Sequence, residues 1–344
     1  MRRRLAGWTF AGLAAVMATA AHADPITLRL ADSLPSGHII DRLMIEPFIK
    51  AVAEKSHGQI VIQHYPAEQL GKSRDLIMLV KSGTADIGFI LPSYISDRLP
   101  LTAVAELPGI FQTTCQGSAA LRAVAADGAI LDREEFQPNG IKPLIIFLMP
   151  PYQMILSSHR QLNSIKDVEG LKIRTPGGAI DLTALGIGTV PIHVAPPEIY
   201  ESIARGTLDG ALLAYQSVTA YHLTPLIKSA TIGEDFGTVA ITFSIGLDKW
   251  NALPPDAQAI LKEAGQDLSE QACGKFDAAE DASRETLKAA GVHLMQSGDA
   301  ERAMLNTSFE AIRAEWADRL DRRGKPGSRV LSAFREAVAA AKPQ

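Results

Sequence analysis

The stretch DVEGLKIRTPGGAIDLTALGIGTVPIHVAPPEIYESIARGTLDG, Asp167 to Gly210, carries the pattern that decides the fold. Leu171-Lys172-Ile173-Arg174 alternates as a strand does, and Thr175-Pro176-Gly177-Gly178 is a turn. Ala179 to Leu185 has helical spacing with Gly186 as its stop. Thr189 to Val194 reads as a second strand. Pro196-Pro197 opens a second helix, where a missing N–H costs nothing, and Gly206 closes it before the apolar run Gly210 to Tyr215. Strand, helix, strand, helix, strand is a βαβαβ unit, so a parallel sheet is expected.

Ligands of open α/β sheets sit outside the carboxyl ends of the strands, and Arg174 lies at such an end. A guanidinium offers a rigid fork that matches a carboxylate, and the turn and helix N-terminus after it add backbone donors for the same anion. The alternative at this point is that Arg174 ties down its own loop through a salt bridge.

Working outward, the first hundred residues repeat the pattern. Ile26 to Ala31 is a strand leading to the loop Asp32 to His38, and Asp41 to Lys55 is spaced as a helix. Gln59 to Tyr65 is a strand, Ser73 to Ser82 a helix stopped by Gly83, and Ala85 to Leu91 a third strand. Two such units predict an α/β chain of two lobes with a cleft between them. Lys142 to Leu148 and Thr238 to Leu247 are predominantly apolar runs, as strands covered on both faces are, and serve as crossovers. Helical periodicity then holds from Pro255 to Ala290 without a proline, so one long helix is expected to run along both lobes, bending at Gly265 and Gly274. Residues 24–147 with about 237–265 form the first lobe on this reading, and 148–236 with about 266–340 the second.

The termini and composition bound the function. Three arginines after Met1, an apolar run from Leu5 to Ala20 and Ala21-His22-Ala23 have the parts of a secretory signal peptide cleaved after Ala23, which places the mature chain in the periplasm. Loss of residues 1–23 removes three arginines and no acid, taking the net charge from −4 to −7. An acidic chain is a poor partner for nucleic acid or anionic membrane, so an anionic ligand needs a local positive site. Cys115 and Cys273 are far apart in sequence and their pairing is open; neither has a His or a second Cys near it in sequence to suggest a thiol enzyme.

Several motifs together resemble the solute-binding proteins of TRAP transporters, the DctP type. They are YPAEQLG at Tyr65–Gly71, KSGTADIG at Lys81–Gly88, DVEGLKIRTP at Asp167–Pro176, Glu198-Ile199-Tyr200, GTLDG at Gly206–Gly210 and WNALP at Trp250–Pro254. The likeness covers roughly Ile26 to Phe334. It implies a two-lobed periplasmic binding protein fold that closes over a small organic acid and delivers it to a TRAP membrane permease. It also puts Arg174 at the position of the family's carboxylate-binding arginine. Two departures matter: Met154 stands where the sialic-acid branch has a second arginine, and Leu213-Ala214 stands where an Asn-Pro pair is frequent.

Both departures remove polar groups from the implied pocket. A sugar acid needs a partner for each hydroxyl, because a buried unsatisfied polar group costs about 1–3 kcal/mol. The pocket expected here is instead apolar, with Met154, Tyr152 and Leu213 from the second lobe and Phe89 and Tyr94 from the first. Ordinary core packing is the other role open to these side chains. Tyr215 and Gln216 are candidates to donate to the ligand, and Ser33 and His38 sit on a first-lobe loop facing the cleft. The expected ligand is a monocarboxylate with an apolar or aromatic body. No catalytic residue, metal or cofactor is expected, since G-x-S-x-G, H-E-x-x-H and a three-glycine dinucleotide loop do not occur. The chain is expected to be a monomer that does not insert in the membrane. A periplasmic sensor for a signalling protein and an exported enzyme acting on a small carboxylate are the rival readings.

Overall fold

A computed structural model describes residues 24–341; the expected signal peptide over 1–23 lies outside the described residues. The strands are β1 (Ile26–Ala31), β2 (Ile60–Tyr65), β3 (Ile87–Ile90), β4 (Ile141–Leu148), β5 (Gln153–Ser157), β6 (Lys172–Thr175), β7 (Val190–His193), β8 (Gly210–Leu213), β9 (Ile227–Thr231), β10 (Ala240–Gly246) and β11 (His293–Met295). They form two sheets, ordered β2-β1-β3-β10-β4 and β11-β9-β5-β8-β6-β7. Each sheet is built on one of the two repeated units: β1, β2 and β3 run parallel in the order 2-1-3, and β6, β7 and β8 run parallel in the order 7-6-8.

The expectation of a parallel sheet is corrected in part, because both sheets are mixed. β10 runs antiparallel to β3, and β5 antiparallel to β8, since each of these strands arrives from the other lobe. The chain passes from β4 into β5 and returns from β9 into β10. The two crossings lie side by side, with β4 antiparallel to β10 and β5 antiparallel to β9. Between the sheets they stay bonded: the N–H of Met149 donates to the carbonyl of Val239 at 3.1 Å and that of Tyr152 to Gly237 at 2.7 Å. The Thr238 hydroxyl adds a bond to the Met149 carbonyl at 2.6 Å.

Helix Pro255–Ala289 is one uninterrupted element that joins the two halves. Its first half packs on β4 and on helix Glu46–Lys55, and its second half on helix Tyr215–Ala220. Phe276 stacks on Phe147 of β4 with ring centroids 5.2 Å apart. The helix continues through Gly265 and Gly274. Gly265 serves close approach, because the backbone of Leu144 occupies the space a side chain would need. The later helices join both halves: Asp299–Arg322 packs on Ala179–Gly186 of the second half, and Gly327–Ala340, which the sequence reading grouped with the second lobe, packs on Asp299–Arg322 and on Thr114–Ala125 of the first.

Cys115, in helix Thr114–Ala125, is disulfide-bonded to Cys273 of the long helix, with Cα atoms 4.9 Å apart. Arg122 reinforces the same contact by donating to the Ser269 carbonyl at 3.0 Å. A cross-link between residues so distant in sequence removes much conformational freedom from the unfolded chain. Reduction, or replacement of both cysteines by alanine, is therefore expected to lower the unfolding free energy by about 2–4 kcal/mol, read as a shift of the denaturation midpoint.

Candidate functional site

Arg174 lies near the end of β6, paired with Ile192 of β7 on one side and Ala211 of β8 on the other. Its side chain is withdrawn from solvent, with 2 % exposure. The Nε–H donates to the carbonyl of Val194 at 2.9 Å, which fixes the plane of the guanidinium and leaves its terminal nitrogens to the interior. Among the described residues, no aspartate or glutamate forms an ion pair with it. A buried charge without a counter-charge costs several kcal/mol. The salt-bridge alternative for Arg174 is not what the structure contains.

The guanidinium opens on a narrow cavity, about 30 Å³, closed in by both halves of the molecule. The first half supplies Leu34, His38 and Ile40 from the loop after β1, Phe89 and Leu91 from the end of β3, Tyr94 from the following turn, and Val239 and Ile241 from β10 and its approach. Met149 and Tyr152 come from the crossing segment. The second half adds Arg174, Leu213, and Ser217 and Tyr221 from helix Tyr215–Ala220 and its C-terminal end. Among the described residues, no carboxylate and no amide side chain lines the cavity. Arg174 is its single formal charge, and Tyr94, Tyr152 and Tyr221 stand close enough to feel it: burial raises all three phenol pKa values, and the Arg174 charge works against that rise.

Tyr94 also borders an outer cleft of about 440 Å³, where Lys72 and Arg74 of the first half face His193 and Glu198 of the second. Its ring lies 6.3 Å from that of His193, so this pair separates the inner cavity from the cleft. Just below, the turn after β6 touches the first half. Gly177 and Gly178 have φ of 102° and 64°, and a Cβ on Gly178 would lie 3.1 Å from Ser93 Cα. The sequence Thr-Pro-Gly-Gly is thus required twice, for a left-handed backbone and for room between the halves.

Residues 30–319 match the family model for bacterial extracellular solute-binding proteins, family 7, named DctP. The chain belongs to the DctP family. That makes it a bacterial extracellular solute-binding protein. Over 342 residues it is 22 % identical to a protein of Comamonas testosteroni named outer membrane transporter protein TsaT, covering 98 % of both chains. Its fold is shared with a TRAP solute-binding protein of Rhodoferax ferrireducens solved with copurified benzoate, at TM-score 0.84 and 23 % identity over 92 % of this chain and 98 % of that one. A TRAP periplasmic protein of Bordetella bronchiseptica solved with bound mandelate gives TM-score 0.82 and 24 % identity over 92 % and 100 %. DctP-family proteins are periplasmic, and among the described residues no helix is long and apolar enough to cross a membrane.

Within this DctP chain, six of the residues singled out from sequence meet at the cavity: Arg174, Tyr152, Leu213, Phe89, Tyr94 and His38. Four do not line it. Met154 is buried in the sheet, its N–H donating to Thr231 Oγ1 at 3.0 Å. The Tyr215 hydroxyl bonds the Thr231 carbonyl within the second core cluster. Gln216 is buried beside it, and Ser33 sits at the base of the loop that carries His38. Glu280 of the long helix accepts from the N–H groups of Tyr215 and Gln216 at 2.8 and 2.9 Å, so both residues anchor the short helix. That helix presents Ser217 and Tyr221, four residues apart and one turn on; this i, i+4 spacing was the available signal for Tyr221.

Several buried groups titrate away from their ordinary values. Burial lifts the Glu106 carboxyl to about 8 and that of Glu280 to about 7, and it drops His38 to about 4. A carboxyl that keeps its proton up to pH 7 or 8 when folded, but loses it near 4.5 when unfolded, withdraws stability as pH rises through that window. The lowered His38 value acts only below its unfolded pKa of 6.5. The unfolding free energy is therefore expected to fall between pH 6.5 and 8, and Glu106→Gln is expected to flatten that slope in denaturant titrations run across the range.

The close contact at the turn gives a separate expectation. Gly178→Val should keep the halves apart at Ser93 and weaken ligand binding by about tenfold or more, measured by calorimetry, with a smaller effect on the unliganded protein's melting temperature. Affinity equal to that of the parent protein would remove Gly178 from the closing contact.

Proposed function

We propose that this receptor captures a small monocarboxylate with an apolar or aromatic body, pairs its carboxylate with Arg174, and closes its two lobes over it before handing it to a TRAP membrane permease. The observation that carries the reading is the buried guanidinium with no counter-charge among the described residues. A bidentate carboxylate supplies the missing charge in the geometry a guanidinium prefers. Eight apolar side chains then take the ligand's body, at about 25 cal/mol for each Å² of apolar surface removed from water. A polyhydroxylated acid finds no carboxylate or amide side chain to receive its hydroxyls, whereas the apolar walls suit a hydrocarbon body. Benzoate and mandelate in the two solved relatives are ligands of this type.

The moving bodies on this reading are residues 24–147 with 237–265, and 148–236 with the chain from 266 to the end of helix Asp299–Arg322; the final helix travels with the first. The ligand touches both bodies and so favours the closed arrangement by its difference in affinity for the two. The protein acts as a monomer exported by the segment 1–23 and cleaved after Ala23.

Arg174→Ala should raise Kd by a factor corresponding to about 2–5 kcal/mol, because it removes one partner of a buried charge pair. Isothermal titration with benzoate and phenylacetate reads this directly, and mass spectrometry of whatever copurifies with the exported chain names the natural ligand. An Arg174→Ala protein that binds these acids as tightly as its parent would end the assignment.

A further inference from the structure

His38 is held more firmly than a loop histidine usually is. The loop after β1 is braced from below by two buried carboxylates: Asp32 accepts from the N–H of Leu34 at 2.6 Å and Asp41 from that of Gly37 at 2.9 Å. His64 of β2 bonds the other oxygen of Asp32. The imidazole of His38 stacks on Tyr221 of the second half, with ring centroids 5.6 Å apart and planes 30° from parallel. Its Nδ1 accepts from the N–H of Ile40 at 3.2 Å, which places the proton of the neutral ring on Nε2. Nε2 has no partner among the described residues, although the side chain is 7 % exposed and lines the Arg174 cavity.

A buried N–H donor without an acceptor is as conspicuous as a buried charge without a counter-ion. The tyrosine and serine hydroxyls of the cavity can rotate to donate or accept, so the ligand does not have to match them. The Nε2–H of His38 can only donate. We infer that His38 selects, among the carboxylates Arg174 takes, aromatic acids that carry a neutral oxygen acceptor, a hydroxyl or an oxo group. This inference rests on the reading of Arg174 given above. Burial keeps the ring neutral to about pH 4, against the pull of Asp32 and Asp41. The site therefore supplies one uncharged hydrogen bond at that point and no second positive charge, which disfavours a second carboxylate in the same place.

Matched acids test it, using the mature chain and calorimetric titration: benzoate with 3-hydroxybenzoate and isophthalate, and phenylacetate with mandelate and phenylglyoxylate. In the parent protein at least one oxygenated acid should bind about tenfold or more tightly than its unsubstituted partner, and isophthalate should bind about tenfold or more weakly than 3-hydroxybenzoate. In His38→Phe, which keeps an aromatic ring against Tyr221, the advantage of the oxygenated acid over its unsubstituted partner should shrink to about twofold. His38→Gln, which retains a donor, should recover part of the advantage. Equal affinities within both sets in the parent protein, or an advantage that survives in His38→Phe, would overturn the selection by His38 and leave Arg174 untouched. Failure of every acid to bind would overturn both readings together. Should His38→Phe not fold, His38→Leu takes its place, with the same loss of the oxygenated acid's advantage expected.

Discussion

A guanidinium buried without a counter-charge among the described residues is the constraint to which the rest of this cleft answers. Its Nε–H is tied to the Val194 carbonyl, so the side chain cannot swing toward solvent without losing that bond. Its surroundings are apolar or phenolic, which keeps the local dielectric low and lets a single charge dominate. In such a setting a carboxylate is worth far more than at a surface, and a neutral molecule of the same shape leaves the charge uncompensated. In the binding mode proposed above, recognition would be concentrated in this one contact, with the apolar walls setting the size of what can accompany it.

The groups that hold this arrangement in place stand outside the cavity. On one side Asp32, Asp41 and His64 brace the loop that carries His38. On the other, Glu280 reaches from the long helix to fix the first backbone N–H groups of the helix that presents Ser217 and Tyr221. Both are carboxylate-to-backbone bonds, and neither touches the space where a ligand would sit. The polar machinery is spent on positioning, so the cavity itself can remain nearly free of competing acceptors.

Much of this was legible in the sequence because the second unit is punctuated so plainly. Glycine and proline mark nearly every boundary between Thr175 and Gly210, and the strand-end position of Arg174 follows from counting through them. The crossovers were readable too, as predominantly apolar runs. The mixed order of the sheets was not, because strand direction depends on where β5 and β10 come from and local pattern is silent on that. Side-chain direction was the other gap. Met149 and Tyr152 face the cavity while Met154 turns into the sheet, in a segment whose alternation is interrupted between β4 and β5. Tyr215 and Tyr221 exchange the roles that proximity to the Asp-Gly motif suggests, since Tyr215 is drawn into the second core cluster. The disulfide joins residues 158 apart in sequence, and only the packing of the two helices brings them together.

The paired crossings between the sheets restrict how the molecule can move. Two neighbouring strands bonded to each other, Met149 to Val239 and Tyr152 to Gly237, can flex together about an axis lying across them. Sliding one past the other, or twisting them apart, would break those bonds. In the closing motion proposed above, the lobes would share one axis, like the covers of a book on a sewn spine. A guest slightly too thick would hold the covers ajar along their whole length, because no sideways shift would be available to relieve it. Selectivity for thickness would then arise from the spine, at a distance from any atom that touches the guest.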